Sequence, residues 1–149
     1  MIARNRIEVL HGVNLDQLGR RDASHYGDLT LDRLEQAIGG WAHEMGLETR
    51  FFQTNFEGEF VEHLHKIGEI ADGLLLNPGA WTHYSWAIRD ALEITGLPAV
   101  EVHLSDVQAR EDFRRVSVIS DHCIETVSGQ GADGYRTALV RLRAALEGK

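Results

Sequence analysis

Glu101 and His103 stand two residues apart in the segment Glu101-Val102-His103-Leu104-Ser105, and alternation along an extended strand puts both side chains on one face. A carboxylate beside an imidazole orients the ring and favours its protonated form, which suits a general acid. The plain alternative is a structural histidine with a satisfied partner. Ser105 and the amides near it offer donors to an anion, with Arg114 as a second clamp. Arg110, Arg114 and Arg115 also read as a solvated helical face. A second set lies earlier. Arg21 and Tyr26 sit five apart on a long connection, Asn14 to Gly27, with glycines on both sides to act as hinges. A phenol titrates near ~10 in water, so it becomes a useful base at neutral pH only where a cation stabilises its anion. Arg21 is the candidate cation. A connection this long is uncommon in a compact domain and often forms a lid; the bland reading is a solvated loop whose tyrosine packs on the surface.

Other polar groups are less specific. Asn77-Pro78-Gly79-Ala80-Trp81-Thr82-His83 follows a very apolar run and reads as a binding loop or as an Asx-turn. His63 and His65, two apart on a helical pattern, face different ways and make a poor metal pair. Gly129-Gln130-Gly131 precedes the last helix and reads as a simple turn rather than a phosphate cradle. No His/Asp/Glu spacing commends a metal, and Cys123 reads as a small hydrophobe at a strand edge. Thirteen of the fifteen basic residues are arginine, leaving only Lys66 and Lys149. Lysine is the residue that forms Schiff bases with carbonyl substrates. Lys149 is terminal and Lys66 falls inside a helical pattern, so imine chemistry is not expected.

The elements that must hold these groups follow from apolar patterning. Ile7 to Leu10, Thr49 to Gln53, Gly73 to Asn77, Ala99 to Leu104 and Ile124 to Val127 read as strands. Helical spacing runs through Leu31, Leu34, Ile38, Trp41 and Met45, then Phe60, Val61, Leu64 and Ile67. It recurs from Ser85 to Thr95, in a short patch near Arg110, and from Ala132 to Leu146. Gly46, Gly96 and Pro98 mark helix ends. Five strands alternating with helices predict a parallel sheet covered on both faces, because parallel neighbours need crossover connections. In such sheets chemistry collects beyond the carboxyl ends of the strands. The polar exits His11-Gly12-Val13-Asn14, Gln53-Thr54-Asn55, Asn77-Pro78-Gly79 and His103-Leu104-Ser105-Asp106 all lie there.

Composition bounds the function class. The 149 residues suit one catalytic domain, 1–149, and 43% hydrophobic with 26% charged residues is the balance of a globular chain. A net charge of −8 argues against a nucleic-acid or membrane-surface binder. One cysteine excludes an internal disulfide, and no apolar run approaches a membrane span or a signal peptide, so the expected compartment is the cytoplasm.

With these residues assembled, the chain resembles the type II 3-dehydroquinate dehydratases (type II dehydroquinases) from about Ile7 through Leu142. The resemblance is carried by His11-Gly12-Val13-Asn14-Leu15 with Leu18-Gly19, Arg21 and Tyr26-Gly27, and by Gln53-Thr54-Asn55 with Glu57-Gly58-Glu59. It continues through Asn77-Pro78-Gly79-Ala80, Thr82-His83, Ser85 and Ala87-Ile88-Arg89-Asp90. Glu101 to Ser105, Arg110-Glu111, Phe113-Arg114 and Gly134-Tyr135 complete it. It implies a flavodoxin-like three-layer sandwich with a five-stranded parallel sheet. The implied reaction is loss of water from 3-dehydroquinate to give 3-dehydroshikimate through an enolate, without metal or organic cofactor. That reaction serves the shikimate pathway of aromatic biosynthesis or quinate breakdown. By similarity, Tyr26 is the base, helped by Arg21 on the lid; Asn14 helps hold a water at the enolate oxygen; His103, oriented by Glu101, protonates the departing hydroxyl. Asn77, His83, Leu104, Ser105 and Arg114 would bind substrate, and Asp90 would come from a neighbouring subunit. The family forms trimers, usually packed into a dodecamer.

The enolate route agrees with the scarcity of lysine, and the arginines supply local positive charge for an anionic substrate. Five positions depart from the usual family motifs besides Ala23, which stands where the lid commonly has proline. His11 and Val13 replace the Asn and Pro of Asn-Gly-Pro-Asn-Leu, Phe56 a His, Trp81 a Tyr, and Asp106 an Asn. Ala23 is expected to loosen the lid, and Asp106 to add negative charge near the anion-binding segment. A flavin-binding flavodoxin would want a Ser/Thr- and Gly-rich loop after the first strand, and a receiver domain an Asp ending the third; neither is present. The rival from another class is a homologue that binds a small anion without turning it over.

Overall fold

The computed structural model describes residues 4–20 and 28–148; Arg21 and Tyr26 lie outside the described residues. The strands are β1 (Arg6–His11), β2 (Glu48–Gln53), β3 (Gly73–Asn77), β4 (Ala99–His103) and β5 (Glu125–Ser128). The helices are α1 (Leu31–Glu44), α2 (Glu57–Ile67), α3 (Trp86–Thr95) and α4 (Asp133–Glu147). The strands form one sheet in the order β2-β1-β3-β4-β5, each neighbouring pair parallel. The boundaries expected from patterning agree with these to within about two residues, the usual uncertainty at element ends. Between β4 and β5 the expected helical patch near Arg110 is two 3₁₀ turns, Val107–Ala109 and Asp112–Arg115.

The sheet's apolar side chains divide by alternation. Ile7 and Val9 of β1, Leu75 of β3, and Val100 and Val102 of β4 pack against Leu34, Ile38 and Ala42 of α1. The same layer takes Tyr135, Leu139, Leu142 and Leu146 of α4. On the other face, Leu10, Leu74, Leu76 and Ala99 meet Phe60, Leu64 and Ile67 of α2 and Ile88, Ala91 and Leu92 of α3. Every residue of β3 is buried, which is why that segment reads as an unbroken apolar run. Each fully buried Leu or Ile contributes about 2 kcal/mol, so the two layers hold the sheet rigid beneath the loops. Local signals fix where two of the helices start. Thr30 Oγ1 accepts from Arg33 N at α1, and Ser85 Oγ accepts from Ile88 N at α3.

Polar residues interrupt the buried faces where they find partners. Glu8, on the α2 side of β1, lies 2.7 Å from His63 Nε2, and the His63 ring stacks on Phe52 at 3.9 Å. His65 is exposed, so the two histidines do face apart. Among the described residues no group of three or more His, Cys, Asp or Glu is arranged to hold a metal, and no helix is long and apolar enough to cross a membrane.

Candidate active site

Three of the four polar exits, those of β1, β3 and β4, line an open cleft of about 570 Å³ at the carboxyl edge of the sheet, and the Gln53-Thr54-Asn55 exit stays outside its wall. The exits of β1 and β3 are pressed together. Gly12 N donates to Asn77 O at 2.7 Å, and a Cβ on Gly12 would stand 2.2 Å from Pro78 O. Gly79 has φ +67°, and a Cβ there would stand 2.7 Å from Val13 O. Only glycine allows this approach and, at Gly79, this backbone conformation. Asn77 makes the Asx-turn anticipated as its plain reading: Oδ1 accepts from Gly79 N at 3.0 Å. It also lines the cleft, with Nδ2 donating to the Tyr135 hydroxyl at 3.3 Å. Burial pushes the Tyr135 phenol up to about 12, against the opposing effect of its bond to Asn77, so the hydroxyl stays neutral.

β4 delivers the acidic pair. His103 Nε2 lies 2.5 Å from Glu101 Oε2, on the shared face that strand alternation predicts. With Nε2 engaged, Nδ1 is the ring nitrogen left for a ligand. Glu101 is fully buried and accepts from three hydroxyls as well. Thr82 Oγ1 lies 2.5 Å and Ser117 Oγ 3.0 Å from Oε2; Ser117 Oγ also lies 2.8 Å and Thr126 Oγ1 3.3 Å from Oε1. Burial pushes this carboxyl's pKa up, but the bond and charge of His103 with the Thr82 and Ser117 hydroxyls outweigh it. The group is held below the usual carboxylate range. Nearby, burial lowers the His83 pKa, although its Nδ1 lies 2.7 Å from Val116 O.

The remaining wall suits an anion. Leu104 and Ser105 continue β4 into the cleft, and their carbonyls accept from Gly131 N at 3.1 Å and Gly129 N at 3.0 Å. The Gly129-Gln130-Gly131 turn therefore braces this segment with its amides and is a turn, not a phosphate cradle. Arg110 and Arg114 both line the cleft. Arg110 Nη1 donates to Ser105 Oγ at 3.4 Å, and Arg114 lies over the Phe113 ring at 4.7 Å with Nε on Glu111 at 3.0 Å. The solvated-face reading thus fails for Arg110 and Arg114, whose side chains line the cleft. Arg115 keeps an exposed side chain.

The cleft thus brings together Asn14, Asn77, His83, His103, Leu104, Ser105 and Arg114, with Glu101 directly behind His103. Asp90 is exposed on α3 and is not among the cleft's lining residues, nor is Lys66, exposed on α2. Sequence reasoning missed Arg110 as a wall residue and gave no role to Ser117 or Thr126. Their contacts to Glu101 span 16 and 25 residues, and no local pattern marks them. Of the departures, Val13 lines the cleft, whereas His11 is buried beneath it with Nε2 3.0 Å from Glu35 Oε2. Cys123 is half-buried beside the α3 layer, and burial pushes its thiol up to about 12.

A family profile described as dehydroquinase class II matches residues 5–143. The chain belongs to that family. A protein of Thermotoga neapolitana named 3-dehydroquinate dehydratase is 49% identical over 138 residues, covering 93% of this chain and 94% of its own. One of Pelotomaculum thermopropionicum with the same name is 48% identical, covering 96% and 99%. Among solved structures, the type II dehydroquinase of Butyrivibrio crossotus superposes with a TM-score of 0.91 at 37% identity, covering 94% of this chain and 98% of its own. That of Propionibacterium acnes gives 0.89 at 38%, covering 97% and 99%. The class II dehydroquinase assignment makes the chain a hydro-lyase, and the five-stranded parallel sheet is the flavodoxin-like α/β fold expected of it.

Proposed function

We propose that this class II dehydroquinase removes water from 3-dehydroquinate by an enolate route within one catalytic domain. The observation that carries the reading is the Glu101–His103 pair, 2.5 Å apart, opening on a cleft walled by Asn14, Asn77, Ser105, Arg110 and Arg114. Elimination beside a ketone needs a base, a stabiliser for the enolate oxygen, an acid for the departing hydroxyl and an anchor for the carboxylate. Each has a counterpart. Tyr26, as a phenolate beside Arg21, takes the proton from the carbon next to the ketone, and the electron pair passes into the enolate. Asn14 holds a water against the enolate oxygen. As the enolate collapses, the C–O bond breaks and His103 gives its proton to the leaving hydroxyl, which departs as water. Tyr26 then returns its proton to solvent and His103 regains one, so the cycle balances. Asn77, His83, the Leu104-Ser105 segment and Arg114 hold the substrate, with the arginines offsetting its charge inside a net-acidic chain.

Asp90 belongs to this reading only in an oligomer. It faces solvent on α3, and in a trimer, or a dodecamer of trimers, it reaches a neighbour's cleft. The enzyme works in the cytoplasm and needs no cofactor. The test is a metal-free assay that follows enone absorbance on addition of 3-dehydroquinate. Turnover is expected, and Tyr26→Phe should lower kcat by about a thousandfold, within the range for loss of a positioned base. Binding without turnover would replace this reading with that of an anion-binding homologue, and unchanged activity in Tyr26→Phe would remove the assigned base.

A further inference from the structure

Among the described residues Asn14 is the one non-glycine with positive φ, at φ 68° and ψ 3°. Left-handed backbone is disfavoured for L-residues, though least so for Asn and Asp, and where it persists the surroundings must hold it. The usual local help is missing, because the Asn14 side chain makes no capping bond to the 3₁₀ turn Leu15–Gln17 that follows. Its carboxamide is thus left to line the cleft. Another residue supplies the restraint. Asn55, just beyond the end of β2, accepts at Oδ1 from Asn14 N at 2.8 Å and donates from Nδ2 to Asp16 Oδ2 at 3.1 Å. The amide orientation is fixed by its partners: a backbone N–H needs an acceptor and a carboxylate needs a donor. Gln53 completes the clamp, its Nε2 donating to Asn55 Oδ1 and to Gly12 O, each at 3.2 Å.

We propose that Asn55 is a positioning residue for Asn14: its carboxamide bridges the Asn14 amide and the Asp16 carboxylate, holds the left-handed turn, and so sets where the Asn14 side chain meets the enolate oxygen. The inference rests on the enolate reading of Asn14. Asn55 is absent from the cleft wall and touches no reacting atom; it acts through the residue it holds. A displacement of about 1 Å in such a group costs up to about a hundredfold in rate, because charge stabilisation depends on preorganised geometry.

The experiment is steady-state kinetics of the intact enzyme on 3-dehydroquinate in two backgrounds. In the otherwise unchanged enzyme, Asn55→Ala should lower kcat about tenfold while KM changes less than about twofold. In an Asn14→Gly background the side chain to be positioned is gone, yet glycine keeps the N–H and tolerates φ 68°. There Asn55→Ala should cost less than about twofold, because two residues that act as one unit are non-additive. An equal drop in both backgrounds, or no drop in either, overturns the proposal. A polarity swap gives an independent arm. Asn55→Asp alone sets two carboxylates against each other, whereas Asn55→Asp with Asp16→Asn restores a donor–acceptor pair in the opposite sense. The double variant should recover most of the lost kcat, and failure to exceed Asn55→Asp counts against the bridge. If the unaltered enzyme shows no turnover, the dehydratase reading itself has failed; if it turns over and the Asn55 variants match it, only this inference has.

Discussion

Glu101→Gln tests the acid pair with the least change of shape. The carboxylate accepts from His103 Nε2 and Thr82 Oγ1 at 2.5 Å each, from Ser117 Oγ at 2.8 Å and from Thr126 Oγ1 at 3.3 Å. The hydroxyls can rotate to accept from the new amide, so the ring of bonds survives without the charge. What is lost is the attraction between the carboxylate and a protonated His103. At an effective dielectric constant of about 20, unit charges ~4 Å apart attract by about 4 kcal/mol. A neutral amide bond in its place keeps roughly 1 kcal/mol. The difference of about 3 kcal/mol falls on holding His103 in the proton-bearing form that the proposed elimination consumes, and corresponds to about a hundredfold in kcat. Stability at neutral pH should change far less, because the amide escapes the cost of burying a charge. The acid range should differ in a definite direction. Burial raises the Glu101 pKa, but His103, Thr82 and Ser117 lower it further, so its native value lies below its unfolded one. The stability it contributes is therefore complete above about pH 4.3 and is lost as pH falls through the native value. Thermal melts from about pH 7 to about pH 3 should show the unaltered enzyme losing stability that Glu101→Gln does not. Wild-type kcat in Glu101→Gln would refute the pair's role, and identical acid slopes would refute the electrostatic account of it.

Two further outcomes follow from the same geometry. Gly12→Ala places a methyl 2.2 Å from Pro78 O, so the exits that carry Asn14 and Asn77 must part. The cost is about 3 kcal/mol, and calorimetry should find the melting temperature lowered by about 9 °C. Borohydride added with 3-dehydroquinate should leave no covalent adduct by mass spectrometry, since Lys66 is exposed on α2 outside the cleft; an adduct on Lys66 would overturn the enolate route.

Much of this arrangement is legible in the sequence because its causes are local. Gly73 to Asn77 reads as a doubly covered strand from an unbroken apolar run, and the structure buries all five residues. Glu101 and His103 share a face because side chains alternate along any strand, and that rule needs no tertiary knowledge. The polar exits could be placed at one edge because parallel strands must all end on the same side. Arg110 escaped for the opposite reason. An arginine on a short helical patch looks the same in sequence whether it faces water or a cleft, and Arg110 lies between the two 3₁₀ turns that take that patch's place.

The least legible groups are those that carry no chemistry of their own. Thr82, Ser117 and Thr126 come from three separate segments to surround one carboxylate, and Asn55 reaches 41 residues back along the chain to hold Asn14. Neither arrangement repeats at a helix or strand period, so no pattern in the sequence encodes it. Both are nonetheless demanded by physics. A buried carboxylate stays ionised only where donors replace the water it has lost, and a left-handed asparagine persists only where its neighbours hold it. Given a fully buried Glu101 beside a histidine, a cage of donors could have been anticipated without knowing which hydroxyls form it. The sequence names the candidate reactive groups; the fold chooses the ones that keep Glu101 charged and Asn14 in place.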